Sequence, residues 1–147
     1  SDHAEFSSDI GGFCSPIIIY DPSGDIHPGM RDAIAQQIDI MPTVLGYLGY
    51  DEPYVGFGCD LFHTPPEQTW AINYLNGVYQ YCKYGYVMQF DGSRVVGMYR
   101  LDDYLMRTNL VGRVAVQGQM EREVKAIIQS YMDRMIGDRL TPGNTHK

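Results

Sequence analysis

The sequence predicts an incomplete α/β fold, in which the remnant of a parallel sheet is followed by a small antiparallel sheet covered by a long helix. Three observations lead to this prediction. Residues 17–20 form a short β-branched run between two prolines, residues 69–101 contain strand-like runs separated by turn dipeptides, and residues 120–136 carry an apolar stripe at helical spacing. We therefore expect two unlike sections within the 147 residues.

The first section contains one strand and one helix. The run IIIY at residues 17–20 is apolar throughout, which is typical of a strand buried on both faces of a parallel sheet. After a loop rich in Pro, Gly and Asp, residues 41–48 place apolar side chains at helical spacing, with Pro42 in the first turn and Gly49 after the last. Because one parallel strand cannot form a sheet, we expect its partner strands to lie outside this sequence.

The second section begins near the proline pair at residues 65–66. Dipeptides that end in Gly separate its strand-like runs, which indicates an antiparallel meander. The apolar stripe of the last helix predicts that this helix covers one face of the meander. We assign residues 1–66 to the end of an α/β core, residues 67–140 to a subdomain of sheet and helix, and residues 141–147 to a flexible tail.

Composition and charge exclude some classes of partner. Eighteen acidic and eleven basic side chains give a net charge of -7, and the basic residues form no run that would neutralise a phosphate backbone, so we expect no binding to nucleic acid. No stretch approaches the roughly 18 apolar residues that a membrane-spanning helix needs. Cys14, Cys59 and Cys82 are scattered without CxxC spacing, which indicates neither a disulfide framework nor a thiolate zinc site.

The opening residues SDH offer two metal-ligating side chains. Asp2 supplies a hard carboxylate oxygen and His3 an imidazole nitrogen, a mixture suited to manganese, zinc or magnesium and less natural for calcium. If a strand ends here, the turn of the chain would let both side chains reach one cation. Glu5 and Asp9 are candidates for an outer shell that orients His3. On spacing alone, solvated and idle side chains at a loose terminus are the favoured interpretation.

Taken in order, the segments SDHAEF, SPIIIYDPSG, QQIDIMPTVLGYLGY and FGCDLF give the chain a resemblance to a known family. It resembles the C-terminal part of the sulfatases within the alkaline-phosphatase superfamily. More narrowly, it is similar to the lipoteichoic-acid-synthase-like sulfatases of bacterial cell envelopes. The similarity in arrangement covers nearly the whole chain, from the Asp-His pair to the closing helix.

The resemblance implies a hydrolase or transferase that attacks a sulfate or phosphate ester, including phosphoglycerol transfer, with a metal-bound nucleophile. It implies that Asp2 and His3 are ligands of a divalent cation, either Mn, Mg, Zn or Ca. The nucleophile and the remaining ligands lie upstream in that family, so no catalytic residue is expected in this sequence. The substrate would be a sulfate or phosphate ester, such as a glycan or a lipid head group. The parent protein would act in the cell envelope, periplasmic or extracytoplasmic and anchored to the membrane upstream.

A second hypothesis is a non-catalytic module that binds a glycan or a protein. Aromatic side chains alternate along the predicted sheet, and such a row is either a sugar-stacking platform or a set of cross-strand packing pairs, the second being favoured; the row comprises Trp70, Tyr74, Tyr79, Tyr81 and Tyr86. Under either hypothesis the isoleucine run lacks neighbours, so we expect the isolated chain to associate with itself.

Overall fold

The structure is a computed structural model that describes residue 10 and residues 15–142. Its centre is one four-stranded antiparallel sheet in which neighbouring strands are also consecutive in the chain. One long helix packs on this sheet, and one short helix precedes it. The strands are β1 (Ala71–Leu75), β2 (Val78–Lys83), β3 (Tyr86–Phe90) and β4 (Val95–Arg100), and the helices are α1 (Ile40–Tyr47) and α2 (Gln117–Ile136).

Two tight turns set the register of the first three strands. The β1–β2 connection is Asn76-Gly77 and the β2–β3 connection is Tyr84-Gly85, and all four residues have positive φ angles between 52° and 82°. Two central residues with positive φ define the hairpin turn whose twist matches that of the flanking strands. The turn dipeptides in the sequence therefore mark these hairpins correctly.

The core lies between the sheet and the first part of α2. Met120 and Val124 of the helix are fully buried against one face of the sheet. The apolar stripe predicted for this helix thus packs on the sheet over its first turns, whereas Tyr131 and Met135 further along remain almost half exposed. The other buried members of the core are Tyr81, Met88, Phe90 and Met98.

The predicted α/β class is wrong, because the described residues contain no parallel strand pair. Residues 17–20 form no strand, and Ile18 and Tyr20 are each 85% exposed. The apolar run was interpreted as buried, but an isolated run has no partner whose backbone would pair with it. The flanking Pro16 and Pro22 also lack the N–H groups that a ladder requires.

The outer edges of the sheet explain why residues 17–20 do not join it. At the β1 edge, the side-chain amide of Gln36 accepts a hydrogen bond from the Ile72 N–H at 3.1 Å and donates to the Trp70 carbonyl at 3.0 Å. At the β4 edge, the side-chain amide of Asn109 accepts a hydrogen bond from the Met98 N–H and donates one to the Val96 carbonyl. On both edges, side-chain amides therefore take hydrogen bonds that a further strand would make. This protects the edges from pairing with another strand.

Candidate functional site

The predicted metal ligands and their outer shell lie outside the described residues. Asp2, His3, Glu5 and Asp9 all precede residue 10, so their arrangement stays a prediction. Within the described part of the chain, no group of three or more His, Cys, Asp or Glu side chains is arranged to hold a metal ion.

A buried carboxylate organises the segment QQIDIMPT. Asp39 is completely buried, and its Oδ1 accepts a hydrogen bond from the backbone N–H of Cys59 at 2.6 Å. Its Oδ2 accepts a second bond, from the N–H of Gln36, at 2.8 Å. Asp39 precedes α1 but its side chain makes no cap bond to the amides of that helix; it bonds backwards to Gln36 and across to a loop twenty residues further along the chain.

Thr43 makes the second connection between these two segments. Its hydroxyl donates to the Asp39 carbonyl at 2.6 Å and accepts a hydrogen bond from the Leu61 N–H at 2.9 Å. Gly58 allows this approach, since a Cβ there would collide with the carbonyl of Ile38. We call this unit, formed by residues 36–43 and 58–61, the Asp39–Thr43 clamp.

Burial shapes the electrostatics of the clamp. Burial raises the pKa of Asp39 above its ordinary value, and the bonds from Cys59 and Gln36 oppose that rise without cancelling it. Burial also raises the pKa of the Cys59 thiol, and the nearby Asp39 raises it further. A thiol with a raised pKa is a poorer nucleophile, because less of it is ionised at neutral pH.

One ionisable pair was not anticipated from the sequence. His63 has its Nδ1 at 2.7 Å from Oδ2 of Asp60, three residues earlier. The D-x-x-H spacing in DLFH is the signal that would have identified it. The His63 side chain is 74% exposed, and no third ligand accompanies the pair in the described residues. Within the part of the chain that the structure describes, the pair is therefore a surface contact in the loop.

A second, partly exposed network joins α2 to the sheet through Glu123. Its carboxylate accepts hydrogen bonds from the hydroxyls of Tyr81 and Tyr84, both at 2.8 Å, and from Lys83 at 3.2 Å. Gln119 adds a bond at 3.0 Å. Burial raises the pKa of Glu123, but these four donors outweigh burial and leave it below its ordinary value. The ionised carboxylate thus anchors the helix on the sheet.

The aromatic row of the sheet faces the helix. Tyr81 is fully buried, and Trp70, Tyr79 and Tyr86 pack against the same core. This arrangement agrees with the packing interpretation of the row and leaves these rings covered by α2. Tyr74, which contacts Tyr79 with ring centroids 4.5 Å apart, is the exposed member.

A concave surface lies beside the C-terminal end of α2. A groove of about 900 Å³ runs between the last turns of this helix and the loop at residues 53–55. Arg134 and Arg139 line it, but each guanidinium donates to a backbone carbonyl, of Arg139 and Asp133 respectively. Both arginines therefore serve first to close the helix end.

Apolar side chains are exposed on α1 and before it. Val44 and Leu48, one turn apart, are 46% and 69% exposed, and the preceding Ile40 is 48% exposed. Ile18 and Tyr20 are also exposed, and no element among the residues that the structure describes covers any of these side chains. Surfaces of this kind usually meet a partner.

Comparison with protein-family models, with curated proteins and with solved structures finds no match for this chain. No helix in the described residues is long and apolar enough to cross a membrane.

Proposed function

We propose that this chain is the C-terminal part of a metal-dependent sulfatase-family hydrolase that cleaves a sulfate or phosphate ester or transfers phosphoglycerol. The observation that carries the proposal is the Asp39–Thr43 clamp. Two of the four segments that carry the family resemblance, QQIDIMPT and FGCDLF, are bonded to each other through Asp39 and Thr43. Two motifs that interlock in this way support a common origin better than either motif does alone.

In this proposal Asp2 and His3 coordinate one divalent cation, either Mn, Mg, Zn or Ca. The cation would stabilise charge on the transferring group and favour the deprotonated nucleophile. Glu5 and Asp9 would orient the imidazole of His3 through hydrogen bonds. The nucleophile and the remaining ligands would come from upstream of Ser1, so the 147-residue chain by itself would be inactive.

The exposed apolar side chains support the proposal that another part of the protein normally covers this chain. Ile18, Tyr20 and Leu48 would contact the upstream catalytic part of the same protein, because burying such side chains contributes about 1.5–3 kcal/mol each. The partners in this proposal are an ester substrate, such as a glycan or a lipid head group, and not nucleic acid. The parent protein would work in the bacterial cell envelope, anchored to the membrane upstream.

The test uses the full-length parent protein. Hydrolysis of p-nitrophenyl sulfate, p-nitrophenyl phosphate and a fluorescent phosphatidylglycerol is measured with each of the four cations after chelation. We expect hydrolysis of at least one substrate, and a loss of roughly 100-fold or more in Asp2→Ala and His3→Ala. Asp32→Ala, an exposed acid of the same chain, is the control and should keep full activity.

Two results would overturn the proposal. One is full activity in the His3→Ala protein, since a metal ligand is not dispensable. The other is measurable ester hydrolysis by the isolated 147-residue chain, which would place a nucleophile within it.

A further inference from the structure

The eight methionines of the chain differ in how far solvent reaches them. Met88, Met98 and Met120 are fully buried in the core. Four others are exposed, namely Met30, Met41, Met132 and Met135. Met106 is half-buried, and its sulfur also makes a hydrogen bond with the sheet. This thioether is therefore both accessible to a small solute and part of a structural contact.

The Met106 sulfur joins the loop that follows β4 to the sheet, and we call residues 101–109 the β4 loop. Gln89 neighbours the core residue Met88 in β3, so its side chain lies on the face of the sheet away from α2. Its Nε2 donates to the sulfur at 3.5 Å. Gly97 leaves room for this amide, because a Cβ there would lie 2.5 Å from Oε1 of Gln89. A thioether is a weak acceptor, so the loop is only loosely fastened at this point.

The backbone of the β4 loop forms a turn at Met106. This residue has a φ of 47°, in the left-handed region that a side chain other than that of Gly, Asn or Asp rarely adopts. Its N–H donates to the Asp103 carbonyl at 2.8 Å, and the Asp103 carboxylate accepts the N–H of Thr108 at 2.9 Å. The carbonyl of Tyr104 accepts the N–H of the buried Ile10 at 3.5 Å. The turn therefore contacts the start of the described chain as well as the sheet.

Oxidation of a thioether changes its strength as an acceptor. Hydrogen peroxide transfers one oxygen to the sulfur, so an S–O bond forms while the O–O bond breaks. The proton of the transferred oxygen passes to the departing hydroxide, which leaves as water. The sulfur loses two electrons and the peroxide gains two, so no other reactant is needed. The sulfoxide oxygen is polar and accepts a hydrogen bond far better than the sulfur does.

We propose that Met106 is a modification site at which oxidation by a peroxide fastens the β4 loop to the sheet. The donor is already in place, because Nε2 of Gln89 points its N–H at the sulfur. An oxygen bonded to the sulfur on that side accepts the same N–H and replaces a weak bond by an ordinary one. Burial protects the three core methionines from the same reaction. This site does not depend on the proposed ester hydrolysis.

The test treats the 147-residue chain with hydrogen peroxide until peptide mass spectrometry shows that Met132 and Met135 are oxidised. We expect Met106 to be oxidised as well, and NMR to show hydrogen exchange at its N–H and at that of Thr108 at least threefold slower than before treatment. Peroxide should not slow exchange at Thr108 in Met106→Leu, which has no sulfur at this position. Gln89→Leu lacks the donor and should also lose the effect. Met132→Leu is the matched control and should keep it.

Three results would overturn this proposal. The first is a Met106 that stays reduced while Met132 and Met135 are oxidised, since its sulfur is then inaccessible. The second is exchange at Thr108 that is unchanged or faster after oxidation. The third is the same slowing in Gln89→Leu, since the amide then has no part in it. The variants change half-buried side chains outside the core, and their backbone amide spectra verify that they fold.

Discussion

Asp39 and Cys59 lie twenty residues apart in the chain, yet the carboxylate of the first accepts the backbone N–H of the second at 2.6 Å. This bond closes the Asp39–Thr43 clamp and holds the loop at residues 58–61 against the start of α1. A fully buried carboxylate is costly unless its oxygens are bonded, and here both oxygens have a backbone donor. The position therefore needs an acceptor at two distinct places, which only Asp supplies at this length.

Asp39→Ala should destabilise the protein by about 2 kcal/mol or more, because the N–H groups of Gln36 and Cys59 both lose their acceptor. Urea unfolding followed by circular dichroism measures the change. Asp32→Ala removes an exposed carboxylate seven residues before Asp39 and should change the free energy of unfolding by less than about 0.5 kcal/mol. Equal effects of the two substitutions would show that the clamp contributes nothing.

Glu123 makes the stability depend on pH. Its folded-state pKa lies below the ordinary value, so its ionised form stabilises the fold. This contribution is complete above the unfolded pKa of about 4.3 and disappears as the pH falls through the folded pKa. The free energy of unfolding falls between neutral and acid pH. In Glu123→Gln this fall should be smaller than in the unsubstituted chain by about 1 kcal/mol.

The control for this measurement is Glu121→Gln. Glu121 pairs with Lys125 at 2.6 Å on the outer side of α2, and exposed pairs of this kind contribute little. Its pH profile should stay close to that of the unsubstituted chain. If the free energy of unfolding falls as steeply with pH in Glu123→Gln as in the unsubstituted chain, Glu123 does not contribute to acid unfolding.

Asn73→Leu should raise the free energy of unfolding by about 1 kcal/mol, because it replaces an unpaired buried acceptor with an apolar side chain of similar size. Asn109→Leu is the matched contrast. Asn109 accepts bonds from Met98 and Val111 and donates to Val96, so the same change there should destabilise by about 2 kcal/mol. Thermal unfolding of the two variants distinguishes them, and a destabilised Asn73→Leu protein would mean that its amide is already satisfied.

The features of the fold that could be predicted from the sequence are those set by residues close together in the chain. The hairpins at Asn76-Gly77 and Tyr84-Gly85 are local, since the turn residues alone fix positive φ and the register. The packing of α2 was readable because its stripe recurs at helical spacing. The Asp39–Cys59 bond joins residues twenty positions apart in the chain, and a single sequence carries no signal for such a contact.

The incorrect prediction has a different origin. Residues 17–20 have the composition of a buried strand. Composition shows that a segment is able to form a strand, but it does not show whether neighbouring strands are present to pair with it. Gln36 and Asn109 occupy the two edges of the sheet, where their side-chain amides substitute for the backbone groups of a further strand. No periodicity in the sequence distinguishes a glutamine that pairs with a strand edge from one exposed to solvent.

The exposed apolar surface predicts that the isolated 147-residue chain associates with itself. Leu48 is 69% exposed at the end of α1, and Val44 and Ile40 continue the same surface toward the start of this helix. Sedimentation velocity should show oligomers that increase with concentration, and Leu48→Glu should shift the distribution toward monomer because it places a charge in the contact. Leu75→Glu is the control, since Leu75 is 48% exposed but lies at the end of β1, outside this surface. A chain that stays monomeric at high concentration, or oligomers that are unaffected by Leu48→Glu, would show that this surface is not a contact.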